Sequence, residues 1–239
     1  MSWSFELIDL SRPLNEETAV ALFGNIGSPT FNKVDVEYVV NWPEKNGRIT
    51  KFSVLDHFGT HVDAPIHTVR DGADLSDGDI GGLIGEAVVL DMYKGGVDYG
   101  YTAEDFEAQA EHVRAGDIVL IYSGYEPCRS VDDPIRQTFV SPEAAQWLVD
   151  HGGRAVGCEP AGLEHGSKGY FEYRWYDLDT PNPPSWPAHG ILLGNDVYII
   201  EGLVNLDRLK GQRVRFAALP LNVPELSGCP VRAVAWIER

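Results

Sequence analysis

The chain has 239 residues, of which 44% are hydrophobic, and its 19 basic and 36 acidic residues give a formal net charge of −17. This length is ample for a buried core, and the composition excludes an intrinsically disordered chain. The acidic balance argues against binding to nucleic acid or to an anionic membrane surface, and no stretch reaches the ~18 apolar residues of a membrane span.

Alternating apolar and polar residues predict β-strands in the first part of the chain. They cover Phe5–Leu10, Val34–Val40 and Arg48–Leu55. A run of histidines follows the third of these strands, and Glu86–Met92 is predicted to form the next one.

The histidine run, from His57 to His67, contains three imidazoles and one carboxylate but no cysteine. Imidazole and carboxylate ligands suit Zn, Mn or Fe, whereas structural zinc sites usually include thiolates. The run therefore predicts a reactive metal site rather than a structural one.

The run is predicted to be extended, because Gly59 and Pro65 both disfavour a helix. In an extended segment every second side chain lies on the same face. One face then carries the possible ligands, which are His57, His61, Asp63 and His67. The opposite face carries the residues that can pack into a core, which are Phe58, Val62 and Ile66.

Two helices and several strands are predicted after residue 100. The first helix covers Thr102–Val113, with Thr102 and Asp105 placed as a capping box. The second covers Ser141–His151, with Ser141 as N-cap, Pro142 in the first turn and two glycines after it. The further strands are Asp117–Ser123, Ala155–Cys158, Val197–Glu201, Arg213–Leu221 and Val231–Ile237, and a proline-rich loop precedes Val197. These elements indicate one β-rich α/β domain over residues 1–239, with few helices and a barrel-like or mixed sheet.

The three cysteines, Cys128, Cys158 and Cys229, are far apart and odd in number. A disulfide framework is not expected, and a reduced, cytoplasmic setting is the default prediction, since no secretory signal is recognisable either. Core packing is expected for all three thiols, and a nucleophilic Cys158 is the alternative.

Further metal ligands must come from distant parts of the sequence, and His189 and Glu201 are the best candidates. Glu201 ends an apolar strand, where a buried carboxylate needs a partner cation such as a metal ion. The alternative is that Glu201 turns outward at the strand end. The remaining histidines are expected to be exposed or to cap a helix, and they are His112, His151 and His165.

Three sequence blocks resemble the cyclase family of metal-dependent hydrolases, which includes bacterial kynurenine formamidase and isatin hydrolase. The family motif His-x-Gly-Thr-His-x-Asp-Ala-Pro-x-His matches positions 57–67. A second block, a histidine followed twelve residues later by Glu-Gly-Leu-Val-Asn-Leu-Asp, matches His189 and positions 201–207. The C-terminal block matches positions 218–221 and 227–234. Positions 21–25 and 157–162 depart from the family pattern. Both departures are expected to affect substrate binding and to leave the metal chemistry in place.

The resemblance implies a metal site. By it, His57, His61 and Asp63 bind one metal, and Asp63 bridges to a second metal that His189 and Glu201 complete. A glutamate at position 201 favours two divalent ions, Zn or Mn, per chain. The resemblance also implies a compact swivelling β/β/α-type domain that forms a homodimer or homotetramer.

The activity implied by the resemblance is hydrolysis of an amide or ester bond in a small molecule, such as an aryl formamide, cyclic amide or lactone. Metal-activated water is the nucleophile, and His67 is the catalytic acid/base. The alternative for His67 is a fourth metal ligand or an orienting group. Phe58 and Trp186 are candidates for substrate contact, with packing as the alternative for both.

Two rival functions remain open on the sequence. Two histidines and one carboxylate can form the facial triad of a mononuclear iron oxygenase, although that reading leaves His189 and Glu201 unexplained. A non-catalytic metal or small-ligand binding protein on the same scaffold is the other.

Overall fold

A computed structural model describes residues 4–24, 34–43, 45–96, 99–133, 135–164 and 186–238. This part of the chain contains thirteen strands and four α-helices, joined by loops and short 3-10 helices. The helices are α1 (Glu16–Phe23), α2 (Ala103–Glu107), α3 (Pro142–Asp150) and α4 (Pro187–Leu193). The strands are β1 (Phe5–Asp9), β2 (Asp35–Val40), β3 (Ile49–Ser53), β4 (His61–Asp63), β5 (Ile84–Asp91), β6 (Gly100–Tyr101), β7 (Ile118–Tyr122), β8 (Phe139–Val140), β9 (Ala155–Cys158), β10 (Tyr198–Glu201), β11 (Arg213–Ala217), β12 (Gly228–Pro230) and β13 (Val234–Glu238).

Nine of the strands form one curled sheet in the order β1-β13-β11-β5-β7-β9-β10-β4-β12. The four central strands, β5, β7, β9 and β10, are parallel, and the strands on either side of them pair antiparallel. The predicted α/β class, with a barrel-like mixed sheet and few helices, is confirmed.

The strand β7 shows how the sheet is buried on both faces. Ile118 and Leu120 belong to a core whose buried members come from strands, loops and 3-10 helices and from none of the α-helices. Val119 and Ile121 belong to a second core, in which α2, α3 and α4 cover the other face. Strands buried on both faces are expected to be almost wholly apolar, as β7 is.

The prediction that positions 57–67 form one extended run was wrong. Only His61–Asp63 forms a strand, whereas Pro65–His67 is a 3-10 helix. Gly59 adopts a φ of +72°, a left-handed conformation that glycine tolerates and that turns the chain just before β4. Pro65 has no backbone N–H for a strand ladder and suits the first position of a helical turn, so the strand stops before it.

Other boundaries differ from the sequence predictions in smaller ways. The helix predicted over Thr102–Val113 divides into α2 and a 3-10 helix at Ala110–His112, although its capping box is present. Strand β11 ends at Ala217 rather than Leu221, and β13 begins at Val234 rather than Val231. The elements α1, α4, β6, β8 and β12 were not predicted. No described helix has the length and apolar character needed to cross a membrane.

Strands β2 and β3 form a separate antiparallel hairpin. Its large apolar side chains are 54–59% exposed, and they are Val36, Tyr38, Val39, Ile49 and Phe52, together with Trp42 in the connecting loop. An isolated two-stranded hairpin is at best marginally stable in water, so this one needs a surface to pack against.

Candidate metal centre

Strand β4 positions the centre of the site. It pairs antiparallel with both β10 and β12, so that His61 lies opposite Glu201 and Asp63 lies opposite Gly228. His61 and Asp63 are two residues apart and therefore project from the same face of β4. Glu201 is the last residue of a parallel strand, at the edge where α/β sheets usually place their ligand sites.

The Asp63 carboxylate is fully buried and lies among three imidazoles. Its Oδ1 is 2.7 Å from Nδ1 of His57 and 3.4 Å from Nε2 of His61. Its Oδ2 is 3.6 Å from Nε2 of His189 and has no hydrogen-bond partner among the described residues. A buried carboxylate oxygen without a partner is costly unless a cation binds it.

The Glu201 carboxylate is also buried and is shared between two of the same imidazoles. Oε1 is 3.2 Å from Nε2 of His189, and Oε2 is 3.4 Å from Nε2 of His61. The backbone N–H of Leu163 donates to Oε1 at 3.1 Å. The alternative that Glu201 turns outward at the strand end is therefore wrong.

The donor atoms fit one or two divalent cations. Those of His57, Asp63 and His67 lie within 4.8 Å of one another, and so do those of His61, Asp63 and Glu201. Asp63 belongs to both groups, as a bridging ligand would. Imidazole and carboxylate donors, together with the unpartnered oxygen of Asp63, match the chemistry of Zn and Mn sites.

The pKa values of the buried groups reflect the attraction between the carboxylates and positive charge. Burial alone would lower the pKa of His61 and His189, but the neighbouring carboxylates raise these pKa values to about 9 and about 10. Burial would raise the pKa of Asp63, but His57 and the other imidazoles hold it well below its usual value. Metal ligands release such protons when a cation binds, because the cation then supplies the positive charge.

His67 lies on the 3-10 helix that follows β4, beside the other imidazoles. Its ring centroid is 4.0 Å from that of His57 and 5.9 Å from that of His189. The indole of Trp186 stacks on it at 5.2 Å with an interplanar angle of 22°. Burial, together with the charges of His57 and His189, lowers the pKa of His67 to about 4 although Asp63 opposes this, so at neutral pH the ring can accept a proton.

Each of the three imidazoles around Asp63 has a partner on its second nitrogen, and none of these partners was predicted from the sequence. Nε2 of His57 lies 2.9 Å from the hydroxyl of Ser227, which donates to Asp56. Nδ1 of His61 lies 3.0 Å from the carbonyl oxygen of Gly59.

Nδ1 of His189 lies 3.2 Å from Glu164 Oε1. Ser227 lies in a matched family block and was within reach of prediction. Glu164 follows a stretch that departs from the family pattern, and no signal in the sequence linked it to His189.

Other candidates lie away from the centre. Phe58 is 1% exposed in a small core with α1, and it stacks on Phe23, a placement that favours packing over substrate contact. Cys158 is buried and burial raises its thiol pKa, so it is no activated nucleophile. Two further histidines lie outside the cluster, as expected: His112 is half-exposed, and His151 is half-buried and stacks on Trp147. His165 falls outside the described residues.

Comparison with known proteins gives consistent matches along the chain. The model of the Cyclase family, described as Putative cyclase, matches residues 8–165. An isatin hydrolase of Roseibium aggregatum is 25% identical over 262 aligned positions, which cover 100% of this chain and 94% of the relative. A kynurenine formamidase of Bacillus cytotoxicus is 28% identical over 232 positions, which cover 96% of each chain.

Solved structures share the same fold. An isatin hydrolase bound to the product analogue thioisatinate superposes with a TM-score of 0.80 at 23% identity, covering 99% of this chain and 94% of that one. A protein of Bacillus stearothermophilus, described as a predicted metal-dependent hydrolase, gives a TM-score of 0.71 at 23% identity, covering 98% and 99%.

Proposed function

The chain belongs to the cyclase family, and on this premise we propose that it is a metal-dependent hydrolase of a small molecule. The bond cleaved is an amide or ester bond in an aryl formamide, a cyclic amide or a lactone. The observation that carries the proposal is the buried cluster around Asp63, whose Oδ2 has no hydrogen-bond partner among the described residues and faces His189. Two relatives named for hydrolysis of a carbonyl–nitrogen bond support it.

The residues that would hold the metal are His57, His61, Asp63, His189 and Glu201. Two ions, Zn or Mn, would share Asp63, because its two oxygens face different imidazoles. The family resemblance implied that His61 and His57 bind the same ion, but the distances to Glu201 favour an ion held by His61, Asp63 and Glu201. A bound divalent ion lowers the pKa of water and polarises a carbonyl group.

His67 acts as the acid/base in this proposal. Its neutral ring takes a proton from the attacking water and delivers it to the leaving nitrogen or oxygen. The close ring contact with His57 holds it beside the ligands. The alternative, in which His67 is itself a ligand, rests on its short distances to His57 and Asp63.

Trp186 provides the surface for the substrate. Its indole lies nearly parallel to the ring of His67 and 5.5 Å from that of His189. A flat aromatic group can stack on such a surface, and isatin and kynurenine, after which the relatives are named, are both aromatic. Phe58 contributes to the core beneath the site instead.

The first experiment is elemental mass spectrometry of protein purified without chelator, combined with hydrolysis assays on isatin, an N-formyl arylamine and an aryl lactone. About two Zn or Mn ions per chain with turnover of one of these compounds supports the proposal, and one ion per chain would restrict it to a mononuclear site. Stoichiometric iron together with oxygen consumption would support the iron oxygenase. Bound metal without turnover of any of these compounds would support a non-catalytic binding protein. A protein that takes up no metal would overturn the proposal.

We also propose that the chain forms a homodimer or homotetramer through the β2–β3 hairpin. Residues 35–53 contain three acidic and three basic residues, so the hairpin is neutral in a chain of net charge −17. Like-charged copies repel each other least at such a neutral surface. Its exposed apolar side chains are then covered by the second copy.

A further inference from the structure

Glu164 is a buried carboxylate that faces a proposed metal ligand without being one. It is 6% exposed, and its Oε1 accepts a hydrogen bond from the backbone N–H of His189 at 3.0 Å. The same oxygen lies 3.2 Å from Nδ1 of the His189 ring. One carboxylate oxygen therefore fixes both the start of α4 and the ring that this helix carries.

This contact decides which nitrogen of His189 is available to a metal. A neutral imidazole has one N–H, and a carboxylate beside Nδ1 holds that hydrogen there. The lone pair then lies on Nε2, which is 3.2 Å from Glu201 Oε1 and 3.6 Å from Asp63 Oδ2. The ring thus directs its free nitrogen toward the two buried carboxylates.

The segment that carries Glu164 is itself held in place. The side chain of Gln137 donates from Nε2 to the carbonyl oxygens of Gly162 at 3.2 Å and of Glu164 at 2.7 Å. The adjacent Leu163 donates its N–H to Glu201. Two consecutive residues therefore contact two different proposed ligands, from a segment whose backbone is fixed by a buried amide.

Glu164 also differs from the corresponding partner of His61. The Nδ1 of His61 faces the neutral carbonyl oxygen of Gly59, whereas that of His189 faces a carboxylate. A carboxylate makes the bonded imidazole a more basic ligand than a carbonyl does. Glu164 is also a third buried carboxylate beside Asp63 and Glu201, and it increases the demand for cationic charge.

We propose that Glu164 is a positioning residue that fixes the tautomer and orientation of His189 for metal binding. This inference rests on the proposed function, because it requires a metal at the cluster. It predicts that loss of the carboxylate weakens metal binding without removing a ligand. Outer partners of this kind typically contribute about 10- to 100-fold to metal affinity.

The test compares Glu164→Gln and Glu164→Ala with the wild type by chelator competition, which gives the dissociation constant for Zn²⁺ and for Mn²⁺. Glu107→Gln is the matched control, since Glu107 is a carboxylate bonded to the indole N–H of Trp147, away from the cluster. We expect the metal dissociation constant to rise about 10-fold for Glu164→Gln, which keeps an acceptor oxygen, and up to about 100-fold for Glu164→Ala. The control should bind like the wild type.

Thermal unfolding of the metal-free proteins separates positioning from a merely structural role. A structural role would lower the melting temperature of metal-free Glu164→Ala and leave the metal dissociation constants at their wild-type values, and that result would overturn the inference. Glu164→Gln preserves the size of the side chain, so it remains informative if Glu164→Ala does not fold. A wild type that binds neither metal would instead overturn the proposed function, which keeps the two failures distinct.

Discussion

His61 and Glu201 are register partners across the β4–β10 pair, and their side chains meet with Nε2 of His61 3.4 Å from Oε2 of Glu201. A shift of this register by one residue would turn Glu201 to the other face of the sheet. The pairing of two short strands therefore sets the distance between donors that lie far apart in the sequence.

The first prediction concerns Asp63, which both donor groups share. Asp63→Asn keeps the shape of the side chain but removes the charge. We expect the variant to lose most of its bound metal and its kcat/KM to fall at least about 100-fold, because even the outer partners of metal ligands contribute about 10- to 100-fold to metal affinity or activity. Metal analysis and kinetics on the same preparation check this. His112→Ala, at an exposed histidine, is the control, and full metal content in Asp63→Asn would contradict the bridging role.

The second prediction separates the two roles of His67. If it is the acid/base, His67→Ala retains its metal while kcat falls by about 10²- to 10⁴-fold, the usual contribution of proton transfer. Metal content measured beside single-turnover rates tests this. Loss of metal together with activity would move His67 into the ligand set with His57 and Asp63.

The third prediction concerns Trp186, whose ring stacks on His67. Trp186→Ala should raise KM for an aryl substrate about fivefold, because one aromatic stacking contact contributes about 1 kcal/mol. Trp186→Phe should recover most of this, and KM for a non-aromatic lactone should stay unchanged in both variants. An equal rise for both substrate types would indicate that Trp186 acts through the site structure.

The fourth prediction uses the close approach of Gly228 to His57. A Cβ at Gly228 would lie 2.6–2.8 Å from atoms of the His57 ring, so Gly228→Ala must displace this ring. We expect weaker metal binding and lower activity, read by chelator competition and kcat/KM. Gly190→Ala is the matched control on α4, where a Cβ meets nothing within 4 Å. Equal metal affinities in the two variants would show that His57 tolerates displacement.

The fifth prediction concerns assembly. Val39→Asp together with Phe52→Asp places charge on the exposed apolar hairpin and should convert the oligomer into monomers in sedimentation velocity. The control is Leu7→Asp, an equally exposed apolar position on β1 (58%). If wild type and hairpin variant are both monomeric, the second copy is not what covers this hairpin, and loss of thermal stability in the variant would point to a segment of the same chain.

The ligand types were predictable from the sequence because the histidine run and the glutamate that ends β10 are local patterns. The polar residues of the run do lie close together, but the backbone conformation that brings them together differs from the predicted one. A left-handed Gly59 and a 3-10 turn after Pro65 bring His57 and His67 beside Asp63, where a single strand was predicted.

Other features depended on tertiary structure or on weak local signals. Helix α1 has an Asn15 cap but lies in a segment for which no element was predicted, and α4 starts at Pro187, which was assigned to the proline-rich loop. The contact between Glu164 and His189 joins two distant segments and leaves no local trace. The strands of the hairpin were predicted, but their separation from the main sheet was not.

The position of β4 has a consequence for the synthesis of the chain. This strand is made early, yet both of its neighbours, β10 and β12, lie in the last part of the sequence. Because a chain emerges from the ribosome N-terminus first, the histidine run is translated long before Glu201 and Ser227 can meet it. The proposed metal centre can therefore be completed only after β10 and β12 have emerged, and a nascent chain stalled before β10 would carry His57, His61 and Asp63 without the carboxylate of Glu201.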